Sequence, residues 1–366
     1  MVTTEMLPVG LLVPITGDLN VSVGMGGLAL FVPAILAAVF APLVVIGSRR
    51  MGRRVILCGL LALLTGANLA SAWSPAMPMF LAARVLVGFC IGGIWAIAGG
   101  LAGRLVRQGK AGLATSIIFG GVAVASVLGV PLGAFIGELA GWRTAFVAMA
   151  ALCAGVLLLN ALALPPLLAQ HALTARALAS QLANPRVRLG LGITLIVAGH
   201  FMAYTFVRPL LQSHAGFSES WIGPLLFAYG MAGVAGNFAA GGAAARRPSA
   251  TLLIIAAALL AILLALGGTG HAQTAAAALL LGWGLAYGGV SVALQNWMMR
   301  AAPDSIEAVT ALFVALFNLG IAAGSLLGMP SVDALGLRAN LWLASVLMAF
   351  PVLALARELG ARPATR

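Results

Sequence analysis

The chain has 366 residues, of which 62% are hydrophobic and 8% charged. No soluble fold can cover that much apolar surface, so the chain belongs in a bilayer. The net charge of +12 would suit nucleic acid, but the cations are distributed as loop charges sorted by side, which argues against that partner.

Apolar segments long enough to span recur at 25–47, 55–74, 78–101, 113–136, 143–164, 189–212, 219–241, 250–268, 273–298, 308–329 and 338–357. Residues 1–16 form a shortened span before them. Reading alternate loops as cytoplasmic places sixteen of the twenty Lys and Arg residues on one side, beginning with the cluster Ser48–Arg54. The opposite loops hold Arg143 and Arg338, while Arg84 and Arg208 fall inside spans. This orientation makes 17–24 external, so the chain must already have crossed once. About sixteen residues precede that loop against roughly twenty needed, and the expectation is an upstream start or a truncated first helix. The cysteines Cys58, Cys90 and Cys153 all lie in spans at no metal-ligand spacing and read as buried thiols.

Glu5 is the only acidic residue within a span. An isolated carboxylate near mid-membrane either protonates or finds a cation, which is the alternation that proton coupling needs. The alternative is a wetted helix terminus. Arg84, in the fourth span, lies at a depth that suits a counter-charge to Glu5, and the alternative is an arginine bonded to carbonyls or snorkelling outward.

The segment GVPLGAFIGELAGWR at 129–143 is echoed by GSLLGMPSVDALGLR at 324–338. A shift of 195 residues superposes Gly129 on Gly324, Gly133 on Gly328, Glu138 on Asp333, Gly141 on Gly336 and Arg143 on Arg338. The chain therefore reads as a duplicated helical bundle of the kind found in transporters. The same shift carries Glu5 onto His200, making that imidazole a candidate cavity residue or a core histidine satisfied by a neighbouring helix. Arg208 at the outer end of the seventh span is either an interface anchor or a vestibule residue. Tyr204, Trp95, Trp283, Asn237 and Asn318 are the remaining large or polar side chains deep in spans, and together they could offer flat faces and hydrogen bonds to a small molecule. Gly92, Gly93, Gly99, Gly100, Gly103, Gly230, Gly233, Gly236, Gly284 and Gly288 recur at helical spacing and read as close-packing faces.

Two six-helix bundles, 1–164 and 189–366, meet at a cytoplasmic linker, 165–188, that opens with Pro165 and Pro166. The other loops are too brief for a catalytic domain. There is no metal-ligand cluster, no nucleophile with a spaced base and no phosphate loop, so the chain reads as no enzyme and needs no cofactor.

The motifs resemble the major facilitator superfamily, and within it the drug:proton antiporter-1 branch. The resemblance rests on Arg84-x-x-x-Gly88 in the fourth span and on Gly129-x-Pro131-x-Gly133-x-x-x-Gly137 followed by Gly141-Trp142-Arg143 in and after the fifth. Blocks 5–22, 84–106, 131–143 and 206–217 look like bacterial purine ribonucleoside efflux pumps and related sugar-efflux permeases. The superfamily's loop between spans two and three is matched at Gly52 and Arg53, but Arg49 stands where that loop carries an acid implicated in the inner gate. The resemblance implies an all-α membrane protein, two six-helix bundles related by a pseudo-two-fold axis, here with a short first helix. It further implies a monomer of the bacterial inner membrane that exchanges protons for a small molecule by alternating access, with purine ribonucleosides as cargo. Sugars or drugs are the alternative cargo, and a non-transporting truncated homologue is the alternative outside transport.

Overall fold

The computed structural model describes residues 1–47, 52–105, 125, 129–165, 179–269 and 272–360. The start of the fifth span, Arg49, most of the linker and the contacts of Gly99, Gly100 and Gly103 lie outside the described residues. Helix is the secondary structure that satisfies every backbone N–H and C=O within a single span, and among the described residues the chain is helical with no strand.

The helices run α1 Val2–Asp18, α2 Leu28–Gly47, α3 Arg53–Ala72, α4 Met77–Leu105, α5 Gly129–Ala140 and α6 Trp142–Ala163. The second set is α7 Pro185–Tyr204, α8 Glu219–Arg246, α9 Pro248–Thr269 and α10 Gln273–Ala301, followed by α11 at 306–335 and α12 at 337–360. Helices α11 and α12 follow each other without a loop, and the left-handed Gly336 (φ 82°) makes the corner between them. Its counterpart under the 195-residue shift, Gly141 (φ 84°), makes the same corner between α5 and α6.

The seventh span begins earlier than its hydropathy suggests. Asn184 caps it by accepting from the Arg186 N–H at 3.0 Å, and Pro185 occupies the first turn, where its missing N–H costs nothing. At the other end the helix stops at Tyr204, the Thr205 hydroxyl turns back onto the Phe201 carbonyl at 2.6 Å, and a turn at Val207–Pro209 completes the crossing.

The duplication reappears as packing. Gly129, Gly133 and Gly137 of α5 receive Thr3, Leu7 and Leu11 of α1, and in the second bundle Gly324 and Gly328 of α11 receive Ala198 and Met202 of α7 and Phe206 just past it. Thr3 and Leu7 map onto Ala198 and Met202 by the same 195-residue shift. Pro131 is buried in this contact. Gly88 and Gly92 bring α4 onto Pro33 and Ala37 of α2, and Gly284 and Gly288 bring α10 onto Tyr229 and Gly233 of α8. Small residues allow such approaches in lipid, where dispersion between close backbones replaces the hydrophobic drive. The bundles meet along α2 and α11, and at the contact of α1 with the turn at Val207–Pro209.

These contacts separate two kinds of glycine. A Cβ on Gly133 would meet only the tip of Leu7, whereas one on Gly288 would run into the backbone of Gly233. Gly133→Ala is expected to change stability by less than about 1 kcal/mol, and Gly288→Ala to cost about 1–3 kcal/mol. Thermal unfolding of the two variants in detergent checks the difference.

Candidate functional site

Helix α1 carries two prolines, Pro8 and Pro14. A proline has no N–H for the carbonyl four residues earlier, so the carbonyls of Thr4 and Gly10 lose their helical partners. Each is taken by a buried arginine. Arg84 of α4 donates to the Thr4 carbonyl at 3.0 Å, and Arg208, just past α7, donates to the Gly10 carbonyl.

Arg84 is fully buried. Its second amino group donates to the Ser71 hydroxyl at 3.0 Å, and Phe80 and Phe146 lie 5.3 and 5.1 Å from the guanidinium carbon. Trp142 closes this aromatic set edge-on. The neighbouring Asn68 donates to the Leu64 carbonyl at 2.8 Å and toward the Thr4 hydroxyl at 3.4 Å. Arg84 is therefore a carbonyl-bound arginine in this conformation. It is close enough to Glu5 for their charges to interact, but the two form no ion pair.

Glu5 is 4% exposed, and its Oε1 has no hydrogen-bond partner. The wetted-terminus alternative does not describe this placement. In the second bundle, His200 is also fully buried. Its Nδ1 lies 3.0 Å from Trp283 Nε1. An indole nitrogen only donates, so Nδ1 accepts and the imidazole proton sits on Nε2, which has no partner.

Rings continue from His200 in both directions. Tyr287 stacks on it at 3.3 Å between centroids, Tyr204 at 4.9 Å on the other side, and Tyr229 stacks on Tyr204 at 5.0 Å. These are all three tyrosines of the chain. Trp283 stands edge-on to His200, Tyr204 and Tyr229. The Tyr287 hydroxyl has no partner either, and Glu5 acts on it electrostatically across the bundle interface. Among the described residues, Glu5 Oε1 of the first bundle and His200 Nε2 and the Tyr287 hydroxyl of the second are thus buried polar atoms without a hydrogen-bond partner.

Other sequence candidates lie elsewhere. Arg208 is buried and, besides donating to the Gly10 carbonyl, holds Glu219 in an ion pair. Asn318 donates to the Val314 carbonyl of its own helix at 2.9 Å, Trp95 is half-buried against the apolar core, and Asn237 is half-buried on α8. Gly52 precedes α3 in extended conformation, and Arg53 begins that helix. Cys90 and Cys153 are buried and Cys58 half-buried. Sequence reading passed over Tyr229, Tyr287 and the two prolines. The rarity of tyrosine and the i−4 rule for proline were the available signals.

If Pro8 is what exposes the Thr4 carbonyl to Arg84, the two residues are coupled. Arg84→Leu is expected to cost about 2–4 kcal/mol by stranding buried acceptors. In a Pro8→Ala background, where an N–H returns to Thr4, the same change should cost about 1 kcal/mol less. A double-mutant cycle of thermal stabilities measures that difference.

Residues 1–325 match the family described as Major Facilitator Superfamily. The purine ribonucleoside efflux pump NepI of Salmonella paratyphi A is 31% identical over 364 residues, covering 99% of this chain and 92% of that protein. The pump of the same name from Salmonella typhimurium matches to the same extent. Among solved structures, the human organic anion transporter MFSD10 (TETRAN) superposes with a TM-score of 0.70 at 21% identity, covering 97% of this chain and 96% of its own. A bacterial homologue of the human lysosomal transporter Spinster, inward-facing and unoccupied, gives a TM-score of 0.72 at 17% identity, covering 100% and 97%. Helices long and apolar enough to cross a membrane, glycine-packed repeats and a family match over most of the length lead to one conclusion: the chain belongs to the major facilitator superfamily and is a multi-pass membrane transporter, not an enzyme.

Proposed function

We propose that this transporter is a proton-coupled antiporter of the bacterial inner membrane that exports purine ribonucleosides. In this reading the bundles 1–164 and 189–366 rock about a fixed site, joined by the linker 165–188, and the chain works as a monomer. The observation that carries the proposal is the buried Glu5 carboxyl, whose Oε1 has no hydrogen-bond partner and which lies within electrostatic reach of Tyr287 of the other bundle. A carboxyl in that position is costly when ionised and unsatisfied, so proton binding and partner binding compete for it, which is the elementary requirement of exchange.

Flat rings with hydrogen-bonding edges suit a nucleobase better than a sugar, and the efflux pumps similar to this chain are named for purine ribonucleosides. Arg84 shapes this site by fixing α1 at Thr4, beside Glu5, and by adding a positive charge within electrostatic reach. His200, held through Nδ1 by Trp283, offers an Nε2–H donor. Tyr204 offers a stacking face once the column parts.

Radiolabelled inosine is expected to accumulate in inverted vesicles under a proton gradient and to be released by uncoupler. Glu5→Gln should abolish gradient-driven accumulation while preserving counterflow of labelled against unlabelled inosine, which needs no net proton movement. Loss of both, or retention of gradient dependence, would remove Glu5 from the coupling role. Tyr204→Ala should raise the inosine KM about three- to tenfold, the equivalent of one aromatic stacking pair.

A further inference from the structure

The bundles are joined by hydrogen bonds at the end opposite the arginine-rich loops, which is external by the positive-inside rule. Arg208 of the second bundle donates to the Gly10 carbonyl of the first. Nearer the surface, Asp333 at the corner of α11 and α12 accepts from the Ser22 hydroxyl at 2.5 Å and from the Gly24 N–H at 2.8 Å. Ser22 Oγ in turn accepts from the Met25 N–H at 3.1 Å, so the Asp333 carboxylate seals the entry to α2.

Both contacts depend on local backbone chemistry. The Gly10 carbonyl is available because Pro14 supplies no N–H to it. The Asp333 carboxylate sits where a side chain on residue 24 would be, so only glycine admits it. Arg208 is kept in place by the bonded Glu219 and by the charge of Glu138, the repeat counterpart of Asp333. Between the two contacts, Gly27, in the turn just before α2, is tightly packed against Met329, Phe206 and the Ser325 carbonyl.

We propose that Arg208 and Asp333 are gating residues, a two-point latch that holds the external end of the pathway shut and must release for the bundles to open outward. The latch is independent of which cargo is carried and of whether protons drive it. Its bonds are suited to reversible use. Arg208 keeps Glu219 as a partner within its own bundle when it leaves Gly10, and water entering from outside can satisfy the freed carbonyl, the Asp333 carboxylate and the Gly24 N–H.

The test places a reporter cysteine, Met329→Cys, beside Gly27 in a protein whose three native cysteines are replaced, and measures labelling by a membrane-impermeant maleimide added from the external side. With the latch intact, labelling should be slow. Pro14→Ala, which returns an N–H to the Gly10 carbonyl, and Asp333→Ala should each speed labelling about fivefold, as for one or two lost hydrogen bonds. Together they should multiply. Gly24→Ala, which leaves Asp333 unchanged but displaces its carboxylate, should act like Asp333→Ala. Asp333→Asn, which can still accept from Gly24, should fall between. A parallel set carrying only the native Cys90, buried inside the first bundle, should stay unlabelled. Rates within twofold of the parent in all variants would overturn the proposal, as would equal acceleration at Cys90, which would trace the effect to loss of fold.

Discussion

The architecture depends on a constraint that lipid places on the backbone: a carbonyl without a partner inside the membrane must find one. Helix α1 violates the helical ladder twice, at Pro8 and Pro14, and both violations are answered by arginines too costly to bury without such acceptors. The two answers come from different bundles. Arg84 ties α1 to its own bundle, and Arg208 ties it to the opposite one. A single helix thereby carries one bond within its own bundle and one that spans the interface between bundles, with Glu5 adjacent to the first.

Glycine packing holds the helices together within each bundle. Contacts within a bundle, such as α4 on α2 and α8 on α10, are backbone-close and difficult to alter. The interface between bundles also carries polar links, from Arg208 to the Gly10 carbonyl and from Ser22 and the Gly24 N–H to Asp333. The closest helix approaches thus lie within the bundles, while the contacts between them include polar links.

The aromatic column shows how duplicated sequence becomes unequal chemistry. Glu5 and His200 occupy equivalent positions of the two repeats. In the first bundle the position is a lone carboxyl with a carbonyl-bound arginine nearby. In the second it is an imidazole whose tautomer is set by Trp283 and whose faces are covered by Tyr204 and Tyr287. The two repeats thus place an ionisable carboxyl at this position in one bundle and a flat, hydrogen-bonding aromatic set in the other.

Much of this was legible in the residues themselves. Hydropathy marked the helices that the described residues form, and the 195-residue echo marked the repeated glycine packing, because both are properties of composition and spacing that lipid enforces directly. Glu5, Arg84 and His200 were conspicuous for the same reason, since ionisable side chains are rare inside spans. What the sequence could not decide was partnership. It suggested Arg84 as a counter-charge for Glu5, whereas the guanidinium is bound to Thr4 and Ser71. It left Tyr229 and Tyr287 indistinguishable from packing residues, and it presented Asp333 as an ordinary helix-end acid. Those outcomes depend on which helices pack side by side and at what rotation. Three-dimensional packing alone decides that, because groups 80 to 311 residues apart, such as Thr4 with Arg84 and Ser22 with Asp333, meet only when the bundles close around them.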